Sequence, residues 1–299
     1  MNIFPENSRV VFIGDSITAA NLSLSHIVNA YRTQHRDLGV RFYNCGVAGG
    51  TAEYAVTSYK FDIARHRPTH AIISFGINDS RREHLAEQRS KERDAILLAA
   101  FEVYKEKLRT LVELLLSDGV DVTLCTPTPY DEYTDSSVPA FRGGFALMQG
   151  YAEYVRNLAR ETGVHLLDVH ESVTRIIQTD PIISEDHIHP TPHGYFTLAK
   201  IFLAAQGIDI GDELPIPEYL ARWHSYVARL RKVHAAECMI VRDFDLPTEE
   251  KMKIMRLRVE NSDWIQPVFE SYIRDYVKDK PNEQELYELI TESFENDIF

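Results

Sequence analysis

The chain has 299 residues, of which 44% are hydrophobic and 26% charged, and its formal net charge is −13. This composition excludes wholesale disorder, and the acidic balance argues against nucleic acid or an anionic lipid surface as the main partner. No apolar run reaches the roughly 18 residues of a membrane span, and residues 1–6 carry neither a basic nor an apolar leader. Cys45, Cys125 and Cys238 are scattered without metal-type spacing, which predicts free thiols and a reduced, cytoplasmic setting.

Arg9-Val10-Val11-Phe12-Ile13 runs directly into Gly14-Asp15-Ser16. Consecutive β-branched and aromatic residues ending in a turn tripeptide predict a buried strand of a parallel sheet. A serine at the carboxyl end of such a strand stands where open α/β sheets place their ligands, although the same tripeptide also serves as a helix cap. Leu24, Ile27, Val28 and Tyr31 then recur at helical spacing. A second strand over 40–44 leads into a glycine-rich loop, Gly46-Val47-Ala48-Gly49-Gly50-Thr51, and a helical stretch stops near Arg67-Pro68.

The third strand, residues 70–75, ends at Gly76-Ile77-Asn78-Asp79. Residues 80–94 are densely charged and read as a loop with a solvated face that includes Arg81 and Arg82. A long helix is predicted from Ala95 to Leu116, and strand four over 120–125 is stopped by Pro127-Thr128-Pro129. A polar, aromatic loop over 130–144 precedes a helix near 145–162 and a fifth strand at 165–168. Asp186-His187-Ile188-His189-Pro190 then leads into a last helix over about 192–205. Five apolar strands alternating with helices predict a three-layer α/β/α sandwich with a parallel sheet over residues 1–206, with right-handed crossovers.

From Gly207 to Pro217 the chain reads as a linker, and beyond it every periodic segment is helical. Leu220, Trp223, Val227 and Leu230 form a heptad-like seam, and Trp264, Val268, Tyr272 and Tyr276 lie on a wide apolar stripe. Residues 207–299 hold 20 of the 45 acidic and 12 of the 32 basic side chains, hence −8 of the total charge. The expectation is an acidic helical extension that packs on the α/β domain or on a second copy of the chain, as in a homo-oligomer.

Serine-dependent acyl transfer needs a base within hydrogen-bond reach, a group that orients the base, and donors for the developing oxyanion. The strand ends and the late loop supply each part once. Asp186 and His189 are three apart, so one tight turn can set the carboxylate on one ring nitrogen and leave the other facing Ser16. Glycine in the second loop lets a backbone N–H approach a substrate, and Asn78 offers a neutral side-chain donor. The same residues also admit plainer readings. Asp186, His187 and His189 are metal-ligand types, and Asn78-Asp79 is compatible with a turn whose Asp79 caps the segment that follows. Asp168 reads as a residue that fixes a loop.

Taken together, residues 14–18, 44–51, 76–79 and 186–190 resemble the SGNH (GDSL-type) hydrolases, or lipase-acylhydrolases, in the order in which that family carries its blocks. The resemblance implies a flavodoxin-like sheet and a catalytic triad of Ser16, His189 and Asp186. It also implies an oxyanion hole formed by Ser16, Gly49 and Asn78, and chemistry without a metal or other cofactor. Gly46 and Gly50 flank the glycine position closely enough to compete for the oxyanion role. His187 departs from the family, which usually has a small residue, often glycine, at that point. The expected activity is a serine esterase acting on a small-molecule ester, with an acetyl ester of a carbohydrate or small metabolite favoured. A lysophospholipase, thioesterase or acyltransferase using the same site is the alternative within enzymes, and a silent binding module with a helical interaction domain is the alternative outside them.

Overall fold

The computed structural model describes residues 1–212, together with 215, 216 and 221. The helical extension expected beyond the linker therefore lies outside the described residues. Five strands, β1 (Arg9–Gly14), β2 (Arg41–Gly46), β3 (His70–Ser74), β4 (Asp121–Cys125) and β5 (His165–Leu167), form one sheet in the order β2-β1-β3-β4-β5. Every neighbouring pair is parallel. This is the flavodoxin-like order, in which the chain leaves β1 to one side for β2 and to the other for β3.

The period-two alternation of the strands separates two cores. Val11 and Ile13 point with Tyr43, Cys45, Ala71 and Ile73 into the larger one. There they meet α3 (Ala52–Ser58), α4 (Lys91–Ser117) and α5 (Gly144–Thr162), which bury Ala55, Leu108, Leu111, Met148 and Val155. Phe12 faces the other way, onto Phe42 and Phe202. That second layer is built by α2 (Leu22–Gln34) and α7 (Pro192–Ala204), with Phe4 stacked on Tyr31. Both sheet faces are thus covered, which is why the strands read as near-continuous apolar runs.

Local chemistry explains where the elements stop and start. Helix α4 begins at Lys91, four residues before the charged stretch gives way to apolar periodicity, because the Ser90 side chain accepts from Arg93 N at 3.1 Å. Asp168 is the N-cap of α6 (Val169–Ile176) and also accepts from Thr126 Oγ1 at 3.0 Å and Arg156 Nε at 2.7 Å, so it fixes the loop end as the sequence suggests. After α7 the chain turns back: Ile208 and Ile210 are buried, and Gln34 donates to the Asp209 carbonyl at 3.0 Å. The first residues of the sequence-predicted linker therefore pack as part of the α/β core.

The carboxyl edge of the sheet is closely fitted. Helix α1 (Ser16–Ala19) sits so near β2 that a Cβ on Gly46 would lie 2.4 Å from Ala19 N and 2.7 Å from Thr18 C. Backbone atoms cannot yield as a side-chain tip can, so the α1 turn would have to move. Gly46→Ala is expected to cost about 1–3 kcal/mol of stability, the range for overpacking a well-fitted interior. Urea denaturation reads that loss; an unchanged midpoint would show that α1 shifts freely.

Candidate active site

Ser16 is the first residue of α1, immediately past β1. Asp15 caps that helix, its Oδ1 accepting from Ile17 N at 2.9 Å. The Ser16 hydroxyl lies 2.7 Å from His189 Nε2. His189 Nδ1 in turn lies 2.5 Å from Asp186 Oδ2. The carboxylate only accepts, so Nδ1 carries the proton there and Nε2 is free to accept from Ser16. Residues 170 positions apart in the chain are thus joined in one hydrogen-bonded row.

The turn that carries the acid and base is held by its own backbone. Ile183 and Pro190 form an antiparallel bridge, Ser184 N donates to the His189 carbonyl at 2.8 Å, and His187 N donates to the Ser184 carbonyl at 2.9 Å. Asp186 Oδ1 collects three bonds, from Ser184 Oγ at 2.9 Å, Ile188 N at 3.0 Å and His189 N at 2.9 Å. Partial burial pushes the Asp186 pKa upward, but these donors and the His189 ring outweigh it and hold the carboxyl well below the ordinary range. Asp186 is therefore ionised at neutral pH.

The glycines of the second loop differ in their hydrogen bonds. Gly46 N donates to Asn44 Oδ1 at 2.8 Å, and Gly50 N donates to the Val47 carbonyl at 2.8 Å. Gly49 is exposed at φ 74, a conformation that favours glycine, and its N–H has no acceptor among the described residues. The Ser16 N–H likewise has none among them. Val47 N donates to the Gly14 carbonyl at 2.9 Å, which docks this loop against the end of β1. Asn78 Nδ2 donates to the Gly50 carbonyl at 3.0 Å, fixing the amide beside the glycine turn while one of its two N–H groups stays uncommitted.

Three neighbours take places that the sequence alone does not specify. Asp79 caps an earlier helix rather than the segment after it: its Oδ1 accepts from Ala52 N, the first residue of α3, at 2.9 Å. Arg82 is no solvated side chain; it is half-buried and donates from Nη1 to the Ile77 carbonyl at 2.5 Å. Burial draws its pKa down, while the carboxylates that feel its charge include Asp15 and Asp186. His187 is buried, with ring nitrogens 2.7 Å from the Asp131 carbonyl and 2.6 Å from the Val138 carbonyl. Both nitrogens being so engaged, Asp186, His187 and His189 do not converge as a ligand set. Only the unusual residue type at position 187 hinted at this role.

A model of the GDSL-like lipase/acylhydrolase family matches residues 12–195, well over half of the chain. The chain belongs to the GDSL-like lipase/acylhydrolase family. It is 24% identical over 218 residues to an acetylxylan esterase of Geobacillus stearothermophilus, covering 67% of this chain and 94% of that one. Among solved structures, a gut microbial diltiazem-metabolizing enzyme aligns with a TM-score of 0.60 at 26% identity, over 69% of this chain and 48% of its own. A catalytic mutant of the Geobacillus esterase aligns with a TM-score of 0.59 at 24% identity, over 70% and 98%. As a GDSL-family protein the chain is a carboxylic ester hydrolase. Among the described residues no helix is long and apolar enough to cross a membrane.

The two other carboxyls of the site behave opposite to Asp186. Burial pushes Asp15 up to about 6 and Asp79 up to about 7, the latter with one oxygen buried and unpartnered. An acid whose pKa rises on folding keeps a proton that the unfolded chain has lost, so stability falls as pH climbs from about 4 to the folded pKa. Between pH 6 and 7 Asp79 carries this effect after Asp15 has ionised. Asp79→Asn keeps the acceptor for Ala52 N and removes the titration. The stability difference between variant and parent, from urea unfolding, is expected to grow in favour of the variant by up to about 1.4 kcal/mol per pH unit across that window. A pH-independent difference would contradict the assignment.

Proposed function

We propose that Ser16, His189 and Asp186 form a catalytic triad that hydrolyses short-chain esters, with an acetyl ester of a carbohydrate or small metabolite as the substrate. The observation that carries this reading is the hydrogen-bonded row from the Ser16 hydroxyl through the His189 ring to Asp186, at 2.7 and 2.5 Å. Support also comes from the acetylxylan esterase relative. Its catalytic mutants replace a serine, an aspartate and a histidine, the last two separated by three positions as Asp186 and His189 are.

In this mechanism Ser16 Oγ attacks the ester carbonyl while His189 Nε2 takes its proton. Asp186, ionised throughout, holds the ring in the tautomer that leaves Nε2 as the acceptor, and stabilises the imidazolium. The negative charge that develops on the carbonyl oxygen is met by the N–H groups of Ser16 and Gly49 and the free amide N–H of Asn78. These donors are in place before the reaction and need no reorganisation during it. The tetrahedral intermediate expels the alcohol, which receives the proton held by His189. Water, activated by the same ring, then cleaves the acyl-serine and releases the acid.

The test is acetate release from acetylated xylo-oligosaccharides and p-nitrophenolate release from the acetate and octanoate esters. Ser16→Ala is expected to abolish turnover to roughly 10³-fold below parent or lower while the fold is retained. Asn78→Ala is expected to lower kcat by roughly 10²–10³-fold. Undiminished turnover in Ser16→Ala would remove the mechanism. A preference for octanoate, or transfer to an added alcohol in place of hydrolysis, would move the assignment to a long-chain acylhydrolase or an acyltransferase. A folded parent inactive on every ester would point to a binding module.

A further inference from the structure

His187 stands between the acid and the base, yet its side chain serves neither. Its backbone lies at φ 68, the left-handed region that suits glycine and is unfavourable for a ring-bearing residue. Such a conformation persists only where the surroundings fix it. The turn itself holds part of it, through His187 N on the Ser184 carbonyl at 2.9 Å, while the contacts of the side chain run to a single partner, the loop over 130–144. His187 Nδ1 meets the Asp131 carbonyl, Nε2 meets the Val138 carbonyl, and the His187 carbonyl accepts from Asp131 N at 3.0 Å. The ring also packs 5.7 Å from the Tyr130 ring. A carbonyl only accepts, so each ring bond uses an N–H; the doubly protonated ring makes both, and either neutral tautomer makes one.

We propose that His187 is a positioning residue that buckles the 130–144 loop onto the turn carrying Asp186 and His189, so that loop and acid–base pair hold their places as one unit. The proposal rests on the triad reading for its effect on catalysis. Two further ties join the same segments, Ser136 Oγ to the Glu185 carbonyl and Ser137 Oγ to Glu185 Oε2, both at 2.7 Å. Those ties are exposed, and water can replace them. His187 is 2% exposed and its bond to the Asp131 carbonyl is buried, so water does not replace that bond as it can the others. The buckle also explains why histidine is compatible with a position where the fold asks for glycine: the ring bonds offset the backbone cost.

Two variants separate the ring from the backbone. His187→Gly relaxes φ and removes the ring. His187→Asn also tolerates left-handed φ, and its amide nitrogen occupies the place of Nδ1, keeping the Asp131 bond while giving up the Val138 bond. The readouts are kcat and KM on p-nitrophenyl acetate and the rate of tryptic cleavage after the exposed Arg142. In His187→Gly we expect cleavage to accelerate roughly tenfold and kcat to fall roughly tenfold, with KM changed less than about twofold, since the ring bonds hold the loop and the base and not the acyl group. His187→Asn is expected to fall between Gly and parent in both readouts. Parental cleavage and kcat in His187→Gly would overturn the buckle, as would an Asn variant no better than Gly. If the Gly variant does not fold, the Asn variant against parent carries the same test. A parent without Ser16-dependent turnover would instead remove the triad reading, and the cleavage rates would still decide the buckle.

Discussion

Gly14 stands between Gly46 on one neighbouring strand and Ser74 on the other, and this level row of residues at the ends of β1, β2 and β3 governs everything placed above it. Parallel strands in register deliver their exit loops to one edge. The loops after β1, β2 and β3 then carry Ser16, Gly49 and Asn78 respectively. Space at that edge is scarce, because α1 rests directly on the strand ends. Glycine at 14 and 46 is what allows the approach, since a Cβ at either would meet backbone within 3 Å. The sheet thus positions one half of the site before any functional side chain makes a contact.

The other half comes from outside the sheet. The turn over 184–189 is closed by backbone bonds and by three donors on one carboxylate oxygen, so it orients Asp186 and His189 without help from a strand. A turn that is rigid in itself still needs a fixed place relative to Ser16. The contacts of His187 with the 130–144 loop bind it to the segment that leaves β4, and hence to the same sheet whose β1 strand, with β3 between them, presents the serine. Two independently built pieces meet across a 2.7 Å hydrogen bond.

Much of this was legible in the sequence because it depends on local chemistry. Apolar runs that end in glycine mark buried strands, and the spacing of Asp186 and His189 permits a single-turn pair. The order of the four blocks then matched a family whose fold follows from them. What was illegible depends on partners far away in the chain. Asp79 caps a helix 27 positions earlier, a choice invisible until β3 is set beside the glycine loop. Arg82 sits in a run of charges that looks solvated and is drawn inward by a carbonyl. Gly49 differs from Gly46 and Gly50 in keeping its N–H free among the described residues, which only the folded loop shows. In each case the deciding fact is a three-dimensional pairing of donors with acceptors, which spacing along the chain does not carry.

The same pairing explains why the proposed triad takes Asp186 and not Asp15 to orient its base, although Asp15 is adjacent to Ser16. Asp15 is buried, and its side chain accepts a hydrogen bond from Ile17 N, so desolvation dominates and its pKa rises to about 6. A carboxyl that is readily neutralised is a poor partner for an imidazolium, and this one is already committed to capping α1. Asp186 is closer to solvent and accepts from four donors, among them the His189 ring, so its charge is secure. Adjacency in sequence puts a carboxylate near a nucleophile, but a base is oriented by the carboxylate whose ionised form the fold stabilises.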